Sequence, residues 1–440
     1  MTEKNVPNII DEEIAPHLHS LILEEYHYLS LANSATAKRL FIEESTIVFG
    51  YPKTESLSIE VNREELKKTF DTIDHSAMPQ AAKTLYYAKC EEQSDILNLL
   101  EAVKKSDDRA FHEASKAVYG EPDEILYRFT LDTINKRFRS LISKIDKKRK
   151  TLHRAYAVWK EFYEAQRKPS QISLFKVPNY EGIYVDDDDE IDSDEKIASM
   201  FTRYLENSNI LNWSVVIDLP GIRTAFGVDQ TTKTIHIPHN SDLQLRKTTL
   251  TKRYLKGLLA HEIGTHVVRR ENGEQSNFAL LAIGLAHYIR GEEGIATFAE
   301  QLITGTESYI GEIGYLAIGA AMGTLDRPLI FDEVLNILNA YYILQIANEE
   351  LEENGFYDLQ ELQIEAFNSA WSRTTRTFRG TSGKTPGAVY TRDIVYLEGN
   401  RNIWKLAEEE PFVKDAWLIG KYNPADQSHV TQLQELGVIE

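Results

Sequence analysis

Two histidines and a glutamate within six residues are the side chains of this sequence best suited to chemistry. They belong to the segment His261-Glu262-Ile-Gly-Thr-His266, inside an otherwise apolar helical pattern. Imidazoles bind zinc, and a neighbouring carboxylate can take a proton from water, so the segment holds two metal ligands and a general base. These are the parts of a zinc hydrolase. The usual motif is His-Glu-x-x-His, and this sequence has one residue more between its histidines.

The extra residue places a geometric requirement on the helix. Residues five apart on a regular α-helix differ by about 140° around the axis, whereas residues four apart differ by about 40°. His261 and His266 can therefore bind one ion only where the helix widens, and a π-helical turn does this. Gly264 lies between them, and its permissive backbone makes the distortion easier. The spacing thus predicts a π-bulge or a broken turn near Gly264.

A catalytic zinc also needs a third protein ligand and an open position for water. The segment Gly291-Glu292-Glu293-Gly294-Ile295-Ala296 follows one intervening helix that can reverse the chain. Adjacent glutamates on a helix point about 100° apart, so only one of the two faces the metal. Small residues after Glu293 permit close helix approach, and we predict Glu293 as the ligand, with Glu292 as the alternative. Glu262 is then the predicted general base.

Composition restricts the class of protein. The 440 residues carry a formal net charge of −19, which disfavours nucleic acid and anionic membranes as partners. The single cysteine, Cys90, excludes an internal disulfide and favours a reducing compartment. The N-terminus lacks the features of a signal peptide, and the apolar runs are too short to span a bilayer. We expect a cytoplasmic protein, and we interpret the basic stretch 136–154 as a solvated helix face.

The periodicity of apolar residues predicts a mainly α (α+β) protein in three regions. Residues 1–168 form a helical N-terminal region. Residues 169–197 form an acidic linker or loop, which lacks the glycine and final glutamate of a calcium-binding loop. Residues 198–440 form the lobe that contains the histidines, with a small antiparallel sheet over 213–238 directly before the histidine helix. The histidine-glutamate motif, not the periodicity, makes this a zincin-like metallopeptidase lobe. The tail from Phe378 is predicted to be irregular, with short strand-like pieces.

These motifs resemble the microtubule-associated tyrosine carboxypeptidase family, whose bacterial relatives are described by a Gln-Glu-Gly-Leu-Ala motif. The likeness covers about residues 115–400, and its specific part is residues 261–266 followed by Arg269, Asn272-Gly273 and Glu292–Ala296. Glu292 stands where the bacterial motif has glutamine, and Glu293 is intact. The resemblance implies a zinc carboxypeptidase with His261, His266 and Glu293 as ligands and Glu262 as catalytic base. We also predict that Glu300 and Asn272 orient the ligands.

A carboxypeptidase has to bind the free α-carboxylate of a peptide or protein, and arginine forks suit that group. No acidic residue lies between Trp371 and Arg392, while several arginines do. We predict that the substrate carboxylate contacts Arg223, Arg379 and Arg392. Tyr396 is predicted to stabilise the oxyanion. Tyrosine or another aromatic residue is a candidate for the residue removed, and the oligomeric state stays open.

Two alternatives remain at this point. A histidine-glutamate motif with the same spacing occurs in the dipeptidyl-peptidase III family, which makes another type of zinc peptidase the second choice. A non-catalytic regulatory protein with a zinc site is the alternative of a different class. The open coordination position disfavours it, because structural zinc is usually enclosed by four ligands rich in cysteine.

Overall fold

The computed structural model of the protein describes residues 13–32, 34–168, 189–222, 225–244, 250–306, 308–353, 359–409 and 414–440. The described chain is mainly helical and contains one small sheet. Within it, no helix combines the length and the apolar character needed to cross a membrane. The helices of the N-terminal region are α1 (Ile14–Leu21), α2 (Glu25–Tyr28), α3 (Ser34–Glu44), α4 (Pro52–Glu55), α5 (Ile59–His75), α6 (Gln80–Lys105), α7 (Asp108–Tyr119), α8 (Glu124–Lys144) and α9 (Lys150–Ala165).

The second half of the chain carries the candidate site. Its helices are α10 (Asp194–Asn207), α11 (Asn240–Leu243), α12 (Lys252–His261), α13 (Val268–Gln275), α14 (Leu280–Ile283), α15 (Ile289–Thr304), α16 (Glu312–Met322), α17 (Phe331–Glu353), α18 (Leu359–Thr377), α19 (Ile394–Glu409) and α20 (Gln427–Glu435). A π-helical turn, Glu262–Val267, joins α12 to α13, and a 3-10 turn, Lys414–Leu418, precedes α20.

One continuous apolar core joins the N-terminal helices to α16, α17 and α18. Trp159 of α9 is fully buried there, and its ring packs against Phe138 of α8 and Tyr341 of α17. The Trp159 indole N–H donates to the side-chain oxygen of Asn135 at 3.3 Å, so burying this polar group leaves no unmet donor. The helical nature of the region before residue 168 agrees with the periodicity of its apolar residues, while the domain boundaries stay a prediction.

The small sheet is mixed, and the prediction of an antiparallel sheet was wrong for one of its two strand pairs. Its strands are β1 (Ser214–Ile217), β2 (Gly227–Asp229) and β3 (Thr234–Ile237), in the order β1-β3-β2. β2 and β3 are joined by a tight turn and pair in the antiparallel direction. β3 also pairs with β1, and this pair is parallel. Residue patterns identify strands, but the order of strands depends on where each connection crosses, which the local sequence does not contain.

The described part of the predicted acidic linker carries defined structure. Glu190 forms an isolated β-bridge with Thr251, immediately before α12. Helix α10 begins at Asp194, where the Ser193 hydroxyl accepts the backbone N–H of Lys196. Residues 169–188, which include the first three aspartates of the acidic run, lie outside the described residues.

Helix α15 is the element on which the other parts of the site pack, and its glycines permit the close approach. A Cβ atom built on Gly294 would lie 2.5 Å from the carbonyl oxygen of Gly399 in α19. A Cβ on Gly291 would lie 2.6 Å from the Cα of Asn423 in the C-terminal segment. Backbone therefore meets backbone at both contacts, and no side chain larger than hydrogen fits without a shift.

Helix α19 occupies part of the tail that we predicted to be irregular. Its first turn contains Ile394 to Tyr396, for which strand-like structure was predicted, so that prediction was wrong. The β-branched residues there favour a strand locally, but packing against α15 decides the outcome. Asn400 fixes the pairing by donating from its side-chain amide to Thr297 at 2.8 Å and to Gln301 at 2.7 Å.

Two glycine variants test this packing. We expect Gly294→Ala to lower the free energy of unfolding by about 1–3 kcal/mol, because the new methyl group collides with backbone that cannot rotate away. Gly257→Ala on α12 is the matched control, since the nearest atom to its new Cβ belongs to a Thr304 side chain. The control should stay within about 1 kcal/mol of the wild type, helped by the better helix propensity of alanine. Equal losses in denaturant unfolding would contradict the packing argument.

Candidate metal centre

The helix widens where the histidine spacing requires it. A π-helical turn spans Glu262–Val267, and the Thr265 hydroxyl donates to the Ala260 carbonyl, five residues earlier, at 3.2 Å. The predicted π-bulge is thus confirmed. The predicted reason for Gly264 was incomplete, because its φ lies outside the left-handed region. What the missing side chain provides is space, since a Cβ there would lie 2.9 Å from the Tyr204 hydroxyl of α10.

The π-turn brings His261 and His266 to the same side of the helix, opposite Glu293 of α15. One potential ligand atom from each of these three residues lies within 4.8 Å of the other two. The Nε2 atom of His261 is 3.8 Å from a carboxylate oxygen of Glu293, and the two imidazole rings are 5.2 Å apart between centroids. The three side chains therefore converge on one point, where they could hold a metal ion.

Each histidine is oriented by a carboxylate on α15. Glu300 accepts from Nδ1 of His261 at 3.0 Å, and Glu292 accepts from Nδ1 of His266 at 2.9 Å. Because an ionised carboxylate can only accept, each Nδ1 carries a proton, and Nε2 is the nitrogen whose lone pair binds a metal once that ring is neutral. The two Nε2 atoms are the ones that face Glu293. The prediction that Glu300 orients a ligand agrees with this contact, and Glu292 takes the same part for the second histidine.

A buried arginine, for which no role was predicted, completes the support of His266. Arg269 is fully buried and donates one amino group to Glu292 and another to the Tyr422 carbonyl. Burial acts to raise the pKa of Glu292, but the charge of Arg269 and the bond from His266 outweigh it and hold that pKa at about 2. The sequence contains one feature that could have identified this role, namely the spacing. Arg269 lies three residues after His266, one helical turn away.

The centre has an excess of negative charge. Four carboxylates lie on or beside the histidines, those of Glu262, Glu292, Glu293 and Glu300. Two buried cations, Arg269 and Lys421, act on Glu292. Burial acts to lower the pKa of His266, yet the Glu292 bond and the neighbouring carboxylates raise it to about 9. A cation placed between the two Nε2 atoms and Glu293 relieves this excess, so the charge as well as the donor atoms fits a divalent metal ion.

Two polar groups beside the three-residue group have no hydrogen-bond partner among the described residues. One is the Glu262 carboxylate, which is half-buried and whose charge acts on both histidines. The other is the Tyr396 hydroxyl, where the charge of Glu293, together with burial, raises the pKa. Both groups are thus near the centre and available to a substrate.

The arginines predicted to bind substrate have different environments. Arg392 stays a prediction, and its guanidinium donates to the buried carboxylate of Glu25 at 2.6 Å. The Tyr119 and Tyr390 hydroxyls donate to the same Glu25, so this charge is already neutralised inside the protein. Arg379 has a buried Nε without a hydrogen-bond partner in the described chain and stays a prediction. Arg223 lies outside the described residues.

Asn272 has a contact other than the predicted one, and its part in orienting a ligand stays a prediction. Its side-chain amide donates to the Leu418 carbonyl at 2.8 Å and ties α13 to the C-terminal segment. Six residues beyond His266 correspond to a rotation of about 240° on a helix, which turns the Asn272 side chain away from the centre.

A double-mutant cycle tests the contact between Gly264 and Tyr204. We expect Gly264→Ala to lower the free energy of unfolding by about 1–3 kcal/mol, because the new methyl group meets the tyrosine hydroxyl. Adding Tyr204→Phe removes the hydroxyl and should recover at least half of that loss, with Tyr204→Phe alone as the control. Strictly additive effects in denaturant unfolding would show that the glycine is required for another reason.

Comparison with known proteins gives one match. No significant match was found among curated proteins or among solved structures. A protein-family model described as microtubule-associated tyrosine carboxypeptidase matches residues 237–309. The matched segment begins at Ile237, the last residue of β3, and continues through the π-turn to just beyond the end of α15. It therefore includes His261, His266 and Glu293. The resemblance inferred from the motifs is confirmed: residues 237–309 match the microtubule-associated tyrosine carboxypeptidase family.

Proposed function

We propose that this chain is a zinc-dependent metallocarboxypeptidase that removes a C-terminal residue from a peptide or protein. The observation that carries the proposal is the convergence of His261, His266 and Glu293, with Glu262 beside them. The family match supports a carboxypeptidase over the dipeptidyl-peptidase alternative. The unengaged Glu262 and Tyr396 support an enzyme over a structural zinc protein, since a purely structural site has no use for free polar groups.

Zinc is the metal that suits this donor set. Two imidazoles and one carboxylate, with a further coordination position for water, form a common arrangement in zinc hydrolases. Zinc held by His261, His266 and Glu293 would supply a Lewis acid that makes water acidic enough to lose a proton near neutral pH. Glu292 and Glu300 hold the imidazoles in the tautomer and orientation that binding requires.

The chemical steps are assigned to side chains that can move protons or stabilise charge. Glu262 takes a proton from the attacking water, whose oxygen then bonds to the carbonyl carbon of the last peptide bond. As the carbon–nitrogen bond breaks, Glu262 gives the proton to the leaving amino group. The Tyr396 hydroxyl donates a hydrogen bond to the carbonyl oxygen while it carries negative charge. Two products result, the shortened chain and a free amino acid.

Metal content tests the proposed ligand set. We expect the wild-type protein to bind about one zinc ion per chain, and His266→Ala to lose it, because two ligands alone hold zinc weakly. His236→Ala is the control, since His236 lies on β3 and bonds to Asp218 at 2.8 Å. Metal analysis after dialysis against dilute zinc measures both variants. Zinc retained by His266→Ala would exclude the proposed ligand set.

A glutamine variant tests the role of Glu262 as the general base. Glu262→Gln should keep its zinc but lower kcat by about 10²- to 10⁴-fold, because the amide cannot accept the proton from water. Glu274→Gln is the matched control, since Glu274 lies on α13 and pairs with Lys233 and Arg270. Activity is measured on peptides that vary in the last residue, read by mass spectrometry, with tyrosine tested first.

The mass of the products distinguishes the alternatives. Loss of a single C-terminal residue supports the proposed function, whereas release of N-terminal dipeptides indicates the dipeptidyl-peptidase alternative. Full activity of Glu262→Gln would rule out the proposed mechanism. A zinc-bound protein that cuts none of the peptides would favour the non-catalytic alternative.

A further inference from the structure

Two arginines near the centre share a single carboxylate. Arg373 donates to Asp393 at 2.8 Å, and Arg376 contacts both oxygens of the same carboxylate at 2.6 and 2.8 Å. We call these three residues the Asp393 cluster. Two positive charges meet one negative charge, so the cluster keeps one uncompensated positive charge. In a chain whose net charge is −19, such a surplus is a local exception.

The surplus charge is accessible on Arg376. The side chain of Arg376 is 42% exposed, whereas Asp393 is 9% exposed and Arg373 is 24% exposed. Arg376 uses its Nε and one amino group on Asp393, and its other amino group has no hydrogen-bond partner among the described residues. The buried carboxylate therefore fixes the guanidinium plane while one N–H edge stays open to a ligand.

Arg376 lies beside the group that we assign to the scissile carbonyl. Its guanidinium carbon is 6.0 Å from the ring centroid of Tyr396. Tyr396 is on α19, opposite Glu293 of α15, at the crossing where Gly399 meets Gly294. Tyr396 thus neighbours both Glu293, whose charge acts on it, and Arg376.

The length of one residue sets how far the carboxylate anchor lies from the group that contacts the scissile carbonyl. Equivalent backbone atoms of consecutive residues are about 3.8 Å apart, so a terminal carboxylate lies one such step beyond the last peptide bond. An anchor for that carboxylate has to adjoin the group that contacts the scissile carbonyl. Arg376 adjoins Tyr396. The two other arginines predicted in this region have different surroundings. The charge of Arg392 is neutralised by Glu25. The electrostatic neighbours of Arg379 are Tyr390, Arg376, Tyr51 and Asp393.

We propose that Arg376, held in place by Asp393, binds the free α-carboxylate of the substrate and thereby restricts cleavage to the last residue. This inference rests on the proposed function and names the group that makes the enzyme a carboxypeptidase. The ligand is a carboxylate one residue beyond the scissile bond, and Asp393 is a positioning residue that does not contact it.

One peptide prepared with a free and with an amidated C-terminus tests the proposal. Binding is measured by calorimetry to the zinc-loaded Glu262→Gln protein, in which the peptide is not consumed. We expect the free acid to bind about 10- to 100-fold more tightly than the amide, the range of a charge-assisted pair. Adding Arg376→Gln should remove this difference by weakening the acid and leaving the amide unchanged. A merely structural role would weaken both peptides equally.

Further variants keep the test decisive. Arg376→Lys keeps the charge but loses the planar fork, so we expect a partial loss of preference, and it serves if Arg376→Gln fails to fold. Arg327→Gln is the control, since Arg327 is 63% exposed and pairs with Glu333 at the start of α17. Undiminished preference for the acid in both Arg376 variants overturns the inference while leaving the proposed function intact. Absence of cleavage by the wild-type protein overturns the proposed function itself.

Discussion

The centre depends on one constraint, namely that two histidines five residues apart must face the same point. A regular helix cannot do this, and the π-turn at Glu262–Val267 supplies the missing rotation. The turn is held from outside by Tyr204, which fills the space left by Gly264, and from inside by α15. Each of these contacts is needed because a π-turn has poorer local stability than the α-helix that it interrupts.

Helix α15 does more than provide Glu293. Its successive faces present Glu292, Glu293 and Glu300 toward the histidine helix and Gly294 toward α19. The spacing of these residues along one rigid helix sets the distances between Glu293 and the two carboxylates that orient the imidazoles. Precision at the centre therefore comes from a single regular element, whereas the distortion that the chemistry demands is confined to its neighbour.

The sequence was sufficient for features that depend on spacing within one helix. The π-turn and the position of Glu300 below Glu293 followed from rotation per residue. The choice of Glu293 over Glu292 followed from the small residues that come after it. Contacts between segments that are distant in the chain could not be predicted from the sequence. The pairing of Arg392 with Glu25 joins residues 367 positions apart, and the parallel alignment of β1 with β3 depends on a chain crossing. Charge and propensity alone favour Arg392 as a free cation, because the partner is visible only in the folded chain.

The contact of Arg269 with the Tyr422 carbonyl joins segments that are synthesised at different times. A chain is synthesised from its N-terminus, so the histidines, Glu292 and Glu293 are all made well before residue 422. Until that residue is made, Arg269 is a charge without its carbonyl partner, and α15 lacks the backbone of Asn423 against Gly291. The C-terminal segment thus completes the support of the centre, so the histidines and α15 gain these two contacts only after a segment made later than themselves has folded against them.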